Sequence, residues 1–206
     1  TVSVTISGRP LGEVVEEANK MLDKIDIPAG LNRPTLSGTY EDQQESFADL
    51  GVLAVLILVL VYIVMAAQFE SLTYPFIIML SVPFAISGVI LALFLTNGNL
   101  NVMSLLGSIM LIGIVVKNGI VLIDYINLNR ERGMSVLNAV VLGGKSRLRP
   151  VVMTTMTTIL GMVPMAISTG EGSEMWAPMG TAVIGGLAIS TVLTLVLVPV
   201  VYCVFA

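Results

Sequence analysis

Long apolar runs separated by short polar links make up most of the chain. Five such runs lie at about residues 50–67, 74–95, 102–126, 150–168 and 177–206. A helix that crosses the apolar core of a bilayer needs about 20 residues, and each run is close to that length. A soluble core does not explain five runs of this kind in succession. The pattern therefore predicts five transmembrane helices in a lipid bilayer.

The residues before the first run have a different pattern. Residues 1–6 alternate in polarity like a strand, and residues 33–40 predict a second short strand. Between them, residues 7–25 repeat apolar side chains at three- and four-residue steps, which predicts an amphipathic helix. A β-α-β piece of about 40 residues is too small to bury its own core, so we expect it to belong to a larger α+β domain.

The predicted fold is accordingly mainly α. It is a polytopic membrane helical bundle with five transmembrane helices over residues 46–206, preceded by the small β-α-β piece at residues 1–45. The residues just before the first run are expected to be helical already. Residues 127–149, between the third and fourth runs, are predicted to form a polar loop.

Composition and charge support this division. The chain is 55% hydrophobic and 12% charged, with a mean hydropathy of +0.94, whereas soluble domains contain about 25% charged residues. Residues 1–49 carry four basic and nine acidic side chains, and residues 50–206 carry six and five, so the formal charges are −5 and +1. No basic stripe with interleaved aromatic residues is present, and nucleic acid is not an expected partner.

The distribution of Lys and Arg predicts the orientation in the membrane. The predicted loop at residues 127–149 contains five basic residues, whereas the links at 97–101 and 169–176 contain none. Short loops rich in Lys and Arg stay in the cytoplasm. Residues 1–49 are therefore expected outside and the C-terminus in the cytoplasm.

One cation lies well inside the third apolar run. Lys117 is about ten residues, or roughly 15 Å, from the cytoplasmic end of that run. A charge at such depth costs about 2.5–3.5 kcal/mol on insertion scales. Gly113 and Gly119 flank it and leave room for close helix packing. Asp124 shares its helix face but lies about 10 Å toward the cytoplasm, which is too far for a direct pair.

Lys117 therefore needs water or a partner from outside this chain. We expect a functional carboxylate partner on a segment that the chain lacks. The alternatives are a purely structural ion pair, or a side chain that extends to the interface.

Polar residues near Lys117 and in the fourth run could form a stripe into the membrane. Asn118 adds a hydrogen-bonding group beside Lys117, and Thr154 lies seven residues after Arg147 on the same face. Pro150 is predicted in the first turn of the fourth helix. Anchoring at the membrane surface also explains Arg147 and Arg149. Likewise, bonds within or between helices explain the hydroxyl groups of Thr154, Thr155, Thr157 and Thr158.

The chain offers little for metal or enzyme chemistry. It has one cysteine and no histidine, so neither an internal disulfide nor a metal-ligand spacing exists. Proton chemistry must use carboxylates, lysine or water. Twelve methionines could bind Cu(I), but most stand singly in apolar runs, where methionine is common packing material. No catalytic residue, metal site or cofactor is predicted, and the chain is not expected to be an enzyme.

Several segments, in order, resemble one family of transporters. The segments are "SGTYEDQQESFADL", "AAQFESLTYPFIIMLSVPFAISG", "GSIMLIGIVVKNGIVLIDYINLNRERG" and "RLRPVVMTTMTTILGMVPMAISTGEGSE". They closely resemble the resistance–nodulation–cell-division transporters, specifically the branch that exports drugs and amphiphiles. The resemblance covers essentially the whole chain. It implies the end of a periplasmic porter domain followed by the last five of twelve transmembrane helices.

The resemblance also implies a mechanism. The family couples proton entry to export through two adjacent aspartates on the fourth helix, a lysine on the tenth, and a threonine and an arginine at the eleventh. By motif, Lys117, Thr154 and Arg147 match the last three, and Asn118 completes the expected proton-relay set. The aspartate pair belongs to the N-terminal half of the transporter, which is thus an expected partner. Asp124 stands where the family often has an acid, but it is not assigned to the relay.

The expected function is proton-driven export of drugs or amphiphiles from a bacterial inner membrane, with the proton motive force in place of a cofactor. A homotrimer, a periplasmic adaptor and an outer-membrane channel are the other partners that the resemblance implies. Two alternatives stay open: a non-transporting assembly or protein-translocation module of related fold, and a metal-ion exporter of the same superfamily. An upstream aspartate pair would favour the pump, and paired methionines in a periplasmic cleft would favour the metal exporter. The substrate-binding residues are unknown.

Overall fold

The described part of the chain is almost entirely helical. The computed structural model describes residues 11–22, 39–96, 98, 100–169 and 173–205. These residues contain no strand. They form the helices α1 (Leu11–Leu22), α2 (Thr39–Phe69), α3 (Thr73–Met79), α4 (Ser81–Leu95), α5 (Val102–Glu131), α6 (Val136–Ala166) and α7 (Ser173–Phe205).

The N-terminal pattern is confirmed in part. The predicted amphipathic helix is present as α1, and its Val15 side chain is buried. The first predicted strand, residues 1–6, lies outside the described residues. The second, residues 33–40, is described only at Thr39 and Tyr40, which open α2 instead. Contacts divide the chain into two compact units, residues 1–51 and 52–206.

Four helical segments are long and apolar enough to cross a membrane. They are Asp42–Phe69, Thr73–Leu95, Val102–Glu131 and Met175–Phe205, at the predicted first, second, third and fifth runs. The predicted fourth run falls in α6 and is not among them, since its threonines, prolines and flanking arginines lower its hydropathy. The described residues thus confirm a helical protein with several candidate spans, but not the count of five.

The second candidate span consists of two helices. α3 ends at Met79 and α4 begins at Ser81. Pro83 has no N–H to donate to the carbonyl of Met79, four residues earlier, and this breaks the ladder of hydrogen bonds. The second run is therefore divided at Leu80 into two helices.

The predicted polar loop at residues 127–149 is wrong. α5 continues to Glu131 and α6 begins at Val136, so a turn of four residues joins them, with Gly133 at a φ of +87° that favours glycine. Gly143 packs so closely on α5 that an added Cβ would lie 2.7 Å from Ile126 Cγ1. Polar composition here marks an exposed helix face. Because α6 already begins at Val136, Pro150 lies inside this helix and not in its first turn, where it was predicted.

α7 is the central helix of the second unit. It contacts α3, α4, α5 and α6. Its approach to α4 is close because Gly88 and Gly185 have no side chains: a Cβ on Gly88 would lie 3.0 Å from the carbonyl oxygen of Gly185. Apolar side chains from α4, α5 and α7 fill the space around this crossing. Leu111 and Val115 of α5, the helix that carries Lys117, belong to this apolar cluster.

Candidate functional site

Lys117 lies near the middle of α5, a helix with a well-defined start. Asn101 caps it: the Asn101 side chain accepts a bond of 2.8 Å from the Ser104 N–H, and the Ser104 hydroxyl oxygen accepts one of 2.9 Å from the Asn101 N–H. This reciprocal arrangement satisfies two backbone donors that have no partner within the helix. Lys117 thus lies at the middle of 30 residues of continuous helix that begin at this cap.

A pocket of about 240 Å³ opens beside Lys117, between α5 and α6. It brings together three of the four predicted relay residues: Lys117, Asn118 and Thr154. The pocket is lined by Ile114, Lys117, Asn118, Val121, Pro150, Val151, Thr154, Thr155 and Thr158. Pro150 lines the pocket from within α6, where it has no N–H to donate to the carbonyl of Ser146.

The Lys117 side chain is exposed in this pocket. Within the described ranges it makes no hydrogen bond and no ion pair. Asp124 does not approach it and lines a different pocket with Glu70 and Glu131. An ammonium group at membrane depth without a counter-ion is costly. The pocket therefore leaves open space beside the Lys117 ammonium group.

The four threonines of α6 divide into two kinds. Thr154, Thr157 and Thr158 each donate to a carbonyl of their own helix, at 3.0, 2.8 and 2.9 Å. This is the local bonding that the sequence also predicted as an alternative. Thr155 instead bonds to Thr191 on α7, at 3.1 Å. Sequence reasoning did not find Thr191, although its hydroxyl stands in an apolar run beside Ser190.

Arg147 lies outside the pocket. Its Cζ is 4.7 Å from the centre of the Tyr125 ring, which is a cation–π arrangement. Its Nε is buried and has no hydrogen-bond partner among the described residues. The structure thus does not join Arg147 to Lys117 and Thr154. Tyr125, which sequence reasoning missed, holds the guanidinium on α5.

A second polar cluster lies at the C-terminal ends of α5 and α7. The Tyr202 hydroxyl donates to Asn127 Oδ1 at 2.6 Å and accepts from Arg130 Nη1 at 3.2 Å. The Tyr202 ring is fully buried and stacks on Tyr74 of α3, with 5.7 Å between the ring centres. This cluster ties three helices together on the predicted cytoplasmic side.

Comparison with known proteins places these features in a wider group. Residues 2–206 match the AcrB/AcrD/AcrF family. The chain is 39% identical over 202 residues to the cobalt-zinc-cadmium resistance protein CzcA of Cupriavidus metallidurans, covering 98% of this chain and 19% of that protein. It is 34% identical over 200 residues to the multidrug resistance protein MdtC of Salmonella enteritidis, covering 97% and 19%.

A further relative and a solved structure are also similar to this chain. The swarming motility protein SwrC of Bacillus subtilis is 38% identical over 188 residues, covering 91% of this chain and 18% of that protein. A crystal structure of a heavy metal efflux pump superposes with a TM-score of 0.83 at 38% identity, over 97% of this chain and 20% of that one. The chain therefore spans about a fifth of the length of these relatives.

Proposed function

The chain belongs to the AcrB/AcrD/AcrF family of resistance–nodulation–cell-division transporters, and we propose that it is the C-terminal part of a pump that exports drugs or amphiphiles by proton antiport. Its relatives include efflux and resistance proteins, which fits a transporter and not an enzyme. The driving force in this proposal is a proton gradient, and no cofactor takes part.

One observation carries the proposal. The pocket places the Lys117 ammonium beside Asn118 and Thr154, yet the described residues supply no carboxylate for it. A cation at this depth requires a partner, and the N-terminal half of the transporter would supply it as an aspartate pair. While both aspartates are ionised, they hold Lys117 between them. Protonation of one weakens that attraction, and α5 and α6 are then free to shift.

The remaining relay residues have supporting roles in this proposal. Thr154 and Asn118 offer hydrogen bonds to water or to a carboxylate in the pocket. Arg147, held on Tyr125, contributes positive charge nearer the cytoplasm and would have to leave that ring to reach the pocket. The movement would pass to the porter domain, of which residues 1–45 form the end, and there move the substrate.

The proposed assembly follows the same reasoning. All five predicted runs, including the one in α6, would cross a bacterial inner membrane, with residues 1–49 outside and the C-terminus in the cytoplasm. Five basic residues lie between the third and fourth predicted runs, which supports this orientation: Arg130, Arg132, Lys145, Arg147 and Arg149. A homotrimer that works with a periplasmic adaptor and an outer-membrane channel is the expected complex.

The test is Lys117→Ala in the complete transporter that contains this segment. We expect proton-driven drug efflux in membrane vesicles to fall to background at normal protein yield, because the aspartates lose their counter-ion. Lys145→Ala is the matched control: this exposed lysine lies outside the pocket, and its removal should leave efflux intact. Wild-type efflux by well-expressed Lys117→Ala protein would refute the proposal.

Export of metal ions is the second candidate function. It is favoured by the 39% identity to a cobalt-zinc-cadmium resistance protein and by the structural similarity to a heavy metal efflux pump. The relay could serve either substrate, since it supplies energy and does not select cargo. Growth assays decide between them: cells that carry the transporter should resist dyes and antibiotics if it exports drugs, and cobalt, zinc or cadmium if it exports metals.

A further inference from the structure

A hydrogen bond between helices links the Lys117 pocket to α7. The Oγ1 atoms of Thr155 and Thr191 lie 3.1 Å apart, and either can be the donor. Both side chains are buried, with exposed fractions of 6% and 7%. Thr155 also lines the pocket. In the part of the chain that the structure describes, its hydroxyl bonds to Thr191 and not to its own helix.

More hydroxyl groups follow on the α7 side. Ser190 and Thr194 are buried, with exposed fractions of 1% and 3%. Thr194 lies three residues, or one turn, beyond Thr191, and its Oγ1 has no hydrogen-bond partner within the described ranges. A buried hydroxyl in that situation is normally satisfied by an ordered water molecule. The polar surface of the pocket thus continues through Thr155 and Thr191 into the interior of the bundle.

The Thr155–Thr191 bond can adopt two directions. A hydroxyl group carries one hydrogen and two lone pairs. If the pocket presents an acceptor, such as an ionised carboxylate, Thr155 donates to it and accepts from Thr191. If the pocket presents a donor, such as a protonated carboxyl, Thr155 accepts from it and donates to Thr191. In the second case the Thr191 hydrogen turns to a carbonyl of α7 or to water at Thr194.

We propose that Thr155 and Thr191 form a positioning pair that couples the protonation state of the Lys117 pocket to α7. The idea rests on the proposed function, because it needs a pocket whose protonation changes. Lys117 is the charged group that lines the pocket with Thr155. α4 and residues 187–198 of α7 contain no charged side chain, and Arg147 lies two turns before Thr155 against Tyr125. The pair therefore responds to Lys117 and its carboxylate partner.

The experiment measures proton-driven efflux by the complete transporter in vesicles across a range of pH. Thr155→Val should raise the pH midpoint, because a hydroxyl donor stabilises an ionised carboxylate more than a protonated one. The shift should be at most about 0.4 unit, the equivalent of ~0.6 kcal/mol for a hydrogen bond between membrane helices at 1.36 kcal/mol per unit. Thr191→Val should give the same shift, and the double variant no more than either alone. Thr155→Ser keeps the hydroxyl and should restore the wild-type midpoint.

Thr157→Val is the matched control. Its exposed hydroxyl bonds to the Met153 carbonyl of its own helix, so the midpoint should not move. A wild-type midpoint in Thr155→Val protein of normal yield would overturn the proposal and leave a merely structural contact. If that variant does not accumulate, an unchanged midpoint in Thr191→Val has the same force. Lys117→Ala run in parallel separates the two ideas: if it keeps proton-driven efflux, the proposed function itself fails.

Discussion

The glycine crossing of α4 and α7 allows a sharp test of the packing. In Gly88→Ala, the new Cβ would lie 3.0 Å from the carbonyl oxygen of Gly185, 3.0 Å from Ile189 Cβ and 3.1 Å from Gly186 Cα. Two of these three atoms belong to the backbone of α7, so rotation of a side chain cannot relieve the crowding. The two helices must move apart, and this loosens the apolar cluster around them.

The size of the effect follows from two opposing contributions. Overpacking a well-filled interior costs about 1–3 kcal/mol. Replacing glycine with alanine within a helix contributes up to about 1 kcal/mol in the other direction. Gly161→Ala isolates the second contribution, because nothing lies within 4 Å of the position where its Cβ would be. Since helix propensity acts on both variants, Gly88→Ala should be about 1–3 kcal/mol less stable than Gly161→Ala.

The assay is thermal unfolding of the purified complete transporter in detergent, with the two variants measured in the same preparation. We expect a lower unfolding temperature for Gly88→Ala, and an equal or higher one for Gly161→Ala, than for the wild type. Equal unfolding temperatures for the two variants would contradict the close approach of α4 and α7 at Gly88.

Two further substitutions test the ends of α5. Tyr202→Phe removes the hydroxyl that joins Asn127 and Arg130. It should lower the free energy of unfolding by about 1–3 kcal/mol, since it leaves buried or charged partners without a bond. An unchanged unfolding temperature would show that water replaces the hydroxyl. Asn101→Ala removes the cap at the start of α5 and should cost about 0.5–2 kcal/mol, whereas no loss of stability would show that the cap is unimportant.

Each of these substitutions has a matched control. Tyr62→Phe removes a hydroxyl whose bond to the Leu72 carbonyl is exposed and 3.2 Å long, so it should have little effect on unfolding. Ser87→Ala removes a hydroxyl that bonds to the Phe84 carbonyl of its own helix, and it should also be close to neutral. Both comparisons use the same unfolding assay.

Periodicity and charge predict part of the surroundings of Lys117. The depth of Lys117 in its run predicts that no carboxylate of the same helix reaches it, and no described residue forms an ion pair with it. Only the family resemblance implied that Lys117 and Thr154 act together, and both line the pocket. Gly119 was also predicted to allow close packing, and a Cβ there would lie 2.8 Å from Ile78 Cγ2. Gly113, predicted alike, has nothing within 4 Å.

Contacts between helices could not be predicted in the same way. The pattern within one helix does not specify which residue of a neighbour it meets, so the bond from Thr155 to Thr191 was missed. Seven-residue spacing correctly put Arg147 and Thr154 on similar faces, but it did not show that the long arginine side chain stacks on Tyr125. The polar composition of residues 127–149 predicts a loop, but composition alone does not show the helical spacing of buried positions such as Ala139, Val140 and Gly143.

The position of α7 in the sequence has a consequence for how the bundle is assembled during synthesis. α7 contacts α3, α4, α5 and α6, yet it leaves the ribosome after all of them. Until then, the faces of α4 and α5 that include Val89 and Leu111 lack the helix that covers them. The packing of these helices around α7 can therefore form only after α7 has been synthesised.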